Sequence, residues 1–148
     1  MKNTFATVEY AGDDLFVAVT PNGHAQVLDI KGAVASGPLE LLFIALGGCT
    51  GADVISVLKK KREQVTSYKL EIRGERREEH PRSFRRFEVK HILRGRGISE
   101  KAVVHAIELS TEKYCGVAAT LRPTAEIVTS YEIQEEPPPT VTASRAEP

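Results

Sequence analysis

The chain has no tryptophan, a single methionine, two cysteines and no net charge, since 20 basic side chains balance 20 acidic ones over 148 residues. Each shortage excludes something. Cys49 and Cys115 stand 66 positions apart and cannot build the multi-bridge framework of a small secreted scaffold. A balanced charge removes the strong field expected of a nucleic-acid or membrane-surface binder. The one basic concentration, Lys59-Lys60-Lys61-Arg62, ends a helical pattern, where cations favour the negative helix terminus. Residues 1–10 alternate polar and apolar side chains and lack the charged start and apolar centre of a signal peptide. The longest uncharged stretch, 41–52, falls short of the ~20 residues that cross a bilayer. Phosphate-cradling glycine loops, a Ser/His/Asp order and a stacking platform for bases are missing, so neither a cofactor nor a nucleic acid is expected. The expectation is a soluble cytoplasmic protein of one domain, at 16.2 kDa. Thiols stay reduced in that compartment, and a cysteine pair there reads as reactive rather than structural.

Turn formers Gly12-Asp13-Asp14 and Pro21-Asn22-Gly23 separate three short strands predicted over 5–10, 15–19 and 24–30. Residues 31–37 form a small-residue loop. Pro38 suits the first turn of a helix and Glu40 complements its dipole. The helical pattern continues to Arg62 and is apolar around much of its circumference, as in a helix buried on most sides. Further strands are predicted over 68–73, with Leu70 and Ile72 on one face, and 87–93, with Phe87, Val89 and Leu93 on one face. The charged stretch 75–86 joins them as an exposed hairpin loop. Ser99 caps a second helix reaching Tyr114, whose stripe is Val103, Ile107, Ser110 and Tyr114. A last strand covers 125–133, with Ile127, Tyr131 and Ile133 facing inward. Residues 1–133 make one domain, and 134–148, with three consecutive prolines, a disordered tail. The order β-β-β-α-β-β-α-β is an α+β fold. A single six-stranded sheet covers one side of the first helix. The rest of its cover is expected from a second copy, so packing predicts an obligate homodimer.

Around Cys49 stand Gly47, Gly48 and Gly51, and each glycine inside a helix costs about 1 kcal/mol relative to alanine. Two readings stand at this point. The small residues serve tight packing with Cys49 as a small hydrophobe, or they leave room for a substrate beside its sulfur. Cys115 follows the last turn of the second helix, near unsatisfied carbonyls that disfavour a thiolate. If one cysteine attacks and the other resolves, Cys49 is the nucleophile. Peroxide reduction needs that division, because the sulfenic acid formed on one thiol is captured by the other as a disulfide. The cysteines with His24, His91 or His105 lack the close spacings of zinc sites, so no metal is expected. His91 reads as a partly buried, hydrogen-bonded strand residue and His105 as solvent-facing. Asp53, one turn after Cys49 on the same face, raises the thiol pKa.

The segments 37–50 (Gly-Pro-Leu-Glu-Leu-Leu-Phe-Ile-Ala-Leu-Gly-Gly-Cys-Thr), 52–60 and 107–117 (Ile-Glu-Leu-Ser-Thr-Glu-Lys-Tyr-Cys-Gly-Val), with Thr120-Leu121, resemble the OsmC/Ohr family of osmotically induced and organic-hydroperoxide-resistance proteins. The resemblance runs from the first strand to about Ile133. It implies an intertwined homodimer with long central helices flanked by antiparallel sheets, and two interface sites. It also implies a stress-response thiol peroxidase that reduces organic hydroperoxides and takes electrons from a dithiol of the lipoyl type. By position Cys49 is the peroxidatic cysteine and Cys115 the resolving one. The family's arginine near the N-terminal strands has no counterpart, for no arginine precedes Arg62. Its partner glutamate falls at Leu39, with Glu40 one residue later. On an unbroken helix Glu40 lies about 180° around and ~13 Å along from Cys49. His24, reaching across a dimer, and Arg122 are the candidate cations in the arginine's place. A same-fold dimer that binds a small molecule or senses redox state slowly is the alternative, and a structural dimer without an active site the third.

Overall fold

A computed structural model describes residues 3–141. Its contacts divide the chain into two compact units, one up to Ala45 and one from Leu46 onward.

In the first unit β1 (Thr7–Gly12), β2 (Leu15–Val19) and β3 (Ala25–Asp29) form an antiparallel sheet in chain order. Gly12 and Asp13, at φ of 100° and 49°, make the first hairpin turn where glycine and aspartate were expected to do so. Asp29 closes the sheet. Its carboxylate accepts the backbone N–H groups of Lys31, Ala33 and Val34 at 2.8–2.9 Å. These bonds hold the acid below the usual carboxylate range, the Val34 N–H most of all.

Helix α1 (Pro38–Lys60) opens on Pro38, and the Glu40 carboxylate accepts the Gly37 N–H at 2.8 Å. It runs unbroken through Gly47 and Gly48. At 23 residues and a mean hydropathy of 2.0, α1 is long and apolar enough to cross a membrane, a length that a count of uncharged residues understates. Only a third of that window is buried in the single chain. Its covered face meets β4 (Gln64–Arg76): a Cβ on Gly47 would lie 2.8 Å from Ile72 Cδ1, and one on Gly51 3.0 Å from Leu70 Cδ1. Two of the three glycines are thus explained by the close approach of strand side chains, while Gly48 faces open space.

The second sheet orders β4, β5 (Phe84–Arg96) and β6 (Glu126–Glu135). β4 and β5 are antiparallel and 13 residues each, about twice the predicted length. The added residues include charged ones that pair across the strands, as Arg85 does with Glu75 at 3.0 Å. The stretch 75–86 is dense in charge, which is why the strand residues within it read as loop. β6 runs parallel to β5, so this sheet is mixed and the six strands do not form one sheet. A parallel neighbour needs a crossover. It is supplied by α2 (Glu100–Leu109), a π-helical turn (Ser110–Tyr114) and a short α3 (Gly116–Leu121) that the sequence reading did not foresee. Ser99 caps α2 as expected, accepting the Ala102 N–H at 3.2 Å. The wider π turn takes Tyr114 off the stripe, leaving it exposed while Val103, Ile107 and Ser110 are buried.

Val54 and Leu58 of α1, Leu93 of β5, and Ala102, Val103, Ala106 and Ile107 of α2 form the core of the second unit. β6 extends to Glu135, two residues into the segment read as a tail, and residues 142–148 lie outside the described residues. These elements make the α+β class expected.

Candidate functional site

Two elements far apart in sequence deliver the site. α1 presents Cys49 and, one turn later, Asp53 on the same face. The end of the π turn presents Cys115. The two sulfurs and an Asp53 carboxylate oxygen all lie within 4.8 Å of one another. Both thiols are free; Cys49 is half-buried and Cys115 buried.

Polar groups tie the trio together. The Thr50 hydroxyl donates to Cys115 Sγ at 3.6 Å, a bond of ordinary length for sulfur. The fully buried Ser110 hydroxyl donates to Asp53 Oδ2 at 2.9 Å. Cys115 is also the N-cap of α3, its sulfur accepting the Ala118 N–H at 3.3 Å. This corrects the sequence reading. The sulfur faces backbone N–H groups at a helix start, not carbonyls at a helix end, because a new helix begins at Gly116. Carbonyl proximity therefore gives no ground for ranking the two thiols.

Burial pushes the Cys49 thiol up, and the neighbouring Cys115 thiol and Asp53 carboxylate add to the rise. The Val117 N–H acts in the opposite direction. The sequence expectation that Asp53 raises Cys49 is correct in sign, although burial outweighs it.

Glu40 is engaged at the start of α1, where its carboxylate accepts the Gly37 N–H, and α1 runs unbroken through Gly47 and Gly48. Arg122 caps α3, and its guanidinium donates to the Thr111 carbonyl. His24 sits exposed in the β2–β3 turn, its carbonyl accepting the Thr20 N–H at 3.0 Å. His105 is exposed, as expected. His91 is fully buried, its Nδ1 2.7 Å from the Tyr68 hydroxyl and its Nε2 without a partner among the described residues. Burial lowers His91 to about 4 and raises Tyr68.

Sequence reasoning missed Ser110 and Thr50 as members of the site. The available signal for Ser110 was a hydroxyl in the middle of an otherwise apolar stripe. An open pocket of about 540 Å³ adjoins the trio through Asp53 and is lined further by Ser56, Val57, Lys60, Lys61, Leu109 and Tyr114.

Comparison with known proteins identifies the frame around this cluster. A family model described as OsmC-like protein matches residues 31–130, a span holding both cysteines and Asp53. Protein YhfA of Escherichia coli K12 is 37% identical over 129 residues, covering 86% of this chain and 96% of its own. A hypothetical protein from Aquifex aeolicus VF5 superposes with a TM-score of 0.83 at 34% identity, over 93% of this chain and all of the other. An OsmC-like protein from Mycoplasma pneumoniae (TM-score 0.78, 18% identity, 90% and 98% covered) shares the fold. So does the organic hydroperoxide resistance protein OhrB of Bacillus subtilis (0.60, 12%, 88% and 98%). The chain belongs to the OsmC-like family, whose fold also carries the organic hydroperoxide resistance proteins.

Proposed function

We propose that this chain is a cytoplasmic, homodimeric, cofactor-free thiol peroxidase that reduces organic hydroperoxides through Cys49 and Cys115. The observation that carries the reading is the convergence of two free sulfurs, 66 positions apart in sequence, to within 4.8 Å. Cys49 is the more accessible and takes the peroxidatic role; buried Cys115 resolves. The Cys49 thiolate attacks the O–O bond of ROOH, and with one proton taken up the products are ROH and the Cys49 sulfenic acid. The Cys115 thiol then displaces water, giving the Cys49–Cys115 disulfide. A dithiol of the lipoyl type returns both thiols and leaves as its own disulfide.

Organic hydroperoxide resistance is written in the name of a fold relative, OhrB, and family membership lends the reading weight here. The uncovered faces of α1 support the homodimer: a third of its apolar window is buried in one chain, and a second copy covers the rest. His24 of one copy is the side chain that supports Cys49 of the other in this reading.

Rapid mixing of reduced protein with cumene hydroperoxide tests the reading. The expected result is fast loss of the Cys49 thiol, no such loss in Cys49→Ser, and a persistent sulfenic acid in Cys115→Ser. Oxidation no faster than that of free cysteine overturns it. His24→Ala is expected to slow Cys49 alkylation, and an unchanged rate removes His24 from the site.

One observation favours a second reading, a slow redox-responsive dimer. The raised Cys49 pKa leaves less thiolate at neutral pH than an ordinary cysteine has. The oxidation rate then climbs with pH through the alkaline range, whereas a cation supplied by the partner flattens that climb near neutrality.

A further inference from the structure

Three potential ligands of a thiophilic metal meet in the second unit: Cys49 Sγ, Cys115 Sγ and an Asp53 carboxylate oxygen, mutually within 4.8 Å. The sequence argued against a metal because no histidine stands at the right spacing from a cysteine. The structure supplies an aspartate instead, placed by the i, i+4 repeat of α1.

Three features make the trio more than a chance gathering. Tetrahedral zinc holds sulfur at about 2.3 Å and carboxylate oxygen at about 2.0–2.2 Å, which sets neighbouring ligand atoms roughly 3.5–3.8 Å apart. Rotamer adjustments of about 1 Å bring atoms already within 4.8 Å to that geometry. Next, the ligands are themselves held. The buried Ser110 hydroxyl donates to Asp53 Oδ2 at 2.9 Å, and the Thr50 hydroxyl donates to Cys115 Sγ at 3.6 Å. Outer hydrogen bonds of this kind orient metal ligands. Finally, the cluster collects three groups able to bear negative charge, and Asp53 makes no ion pair among the described residues.

We propose that Cys49, Cys115 and Asp53 bind one thiophilic divalent cation of the Zn2+ class per chain, with water as a fourth ligand on the side where Asp53 borders the open pocket. Two sulfur ligands select zinc, cobalt or cadmium over magnesium and calcium, which prefer oxygen. Binding replaces two S–H bonds by two S–metal bonds and releases two protons, with no electron transferred. The bound ion caps the thiols, so it shields Cys49 from alkylation and prevents the disulfide from forming. A disulfide in turn removes both sulfur ligands. This site is independent of the peroxidase reading, because a chain inert toward hydroperoxides binds the ion equally well.

The test titrates tag-free, fully reduced protein with Co2+ under anaerobic conditions, followed by displacement with Zn2+. The expected result is a thiolate-to-cobalt charge-transfer band saturating at one ion per chain, about two protons released per ion, and an alkylation rate of Cys49 that falls with occupancy. Cys115→Ser and the disulfide form lose the band. Ser110→Ala keeps it but weakens affinity by about 10–100-fold, and the isosteric Asp53→Asn weakens it as well, with folding of each variant checked by circular dichroism. The proposal is overturned by absence of the band in the reduced protein. Binding that persists unchanged in Cys115→Ser or in the disulfide form overturns it too, since the ion then sits elsewhere.

Discussion

Phe5, Val8, Tyr10, Ile30 and Val34 in the first unit are each more than half exposed, whereas Leu46, Val54, Leu58, Phe87, Leu93 and Val103 in the second are at most 1% exposed. Among the described residues up to Ala45, the one buried side chain is a carboxylate, Asp29, held by backbone hydrogen bonds. A three-stranded sheet gains stability from an apolar face only when that face is covered. The second unit covers its own; the first displays apolar residues that one chain leaves wet. Exposed apolar side chains in this number are what a second copy would cover, in line with the proposed homodimer.

The largest expected effect sets the two units against each other directly. Leu93→Ala opens a cavity in the core shared by β5, α1 and α2 and should cost about 2–5 kcal/mol in urea unfolding. Val8→Ala, on exposed β1, should stay within about 0.5 kcal/mol in the dissociated chain. In sedimentation it should instead weaken self-association. Equal losses from both substitutions at high dilution would show that the first unit has a core of its own and break the contrast.

Acid should also separate the units. His91 is buried and lowered from 6.5 to about 4, so between those values the unfolded chain holds a proton that the folded chain refuses. Stability therefore falls as pH drops from 6.5 toward 4, by up to about 3 kcal/mol, and levels off below. Asp29 behaves differently. Its pKa is depressed, so its contribution is complete above the ordinary carboxylate value of 3.8 and is lost as pH falls below that value through the folded pKa. Amide exchange resolved by residue should see β4–β5 weaken in the first window and the Asp29 loop only in the second. His91→Gln, which keeps an acceptor for the Tyr68 hydroxyl, should abolish the first window alone.

The same contrast decides what could be read from the sequence. Where burial follows one period the elements were legible: α1 with its Pro38 start, the Ser99 cap of α2, and the Phe87, Val89, Leu93 face of β5. Meeting of the two thiols was legible only through family resemblance and the scarcity of sulfur, and the structure bears the meeting out. The strand ends within the charged stretch 75–86 read as loop. The π turn and α3 were invisible because Ser-Thr-Glu-Lys-Tyr continues a helical pattern, and nothing in Cys115 announces an N-cap. That local irregularity reversed the electrostatic argument about Cys115. The parallel placement of β6 was hidden as well, since alternation gives a strand's faces but not its direction.

The smallest expected effect bears on the uncovered side of α1. Gly47 and Gly51 are filled by Ile72 and Leu70, so alanine there must displace a side-chain tip at 2.8 or 3.0 Å, and the helix-propensity gain is offset. Gly48 has nothing within 4 Å in the single chain. Gly48→Ala should therefore raise the stability of the dissociated chain by about 1 kcal/mol, as for any exposed helix interior. If a second copy packs its backbone against the exposed Gly48 and Ala52, the same methyl group obstructs that approach, and the dimer dissociation constant should rise although each chain has become more stable. Opposite signs in thermal unfolding at high dilution and in sedimentation locate the interface on α1. Gains in both measurements would place the partner on the first sheet alone and leave this face of the helix to solvent.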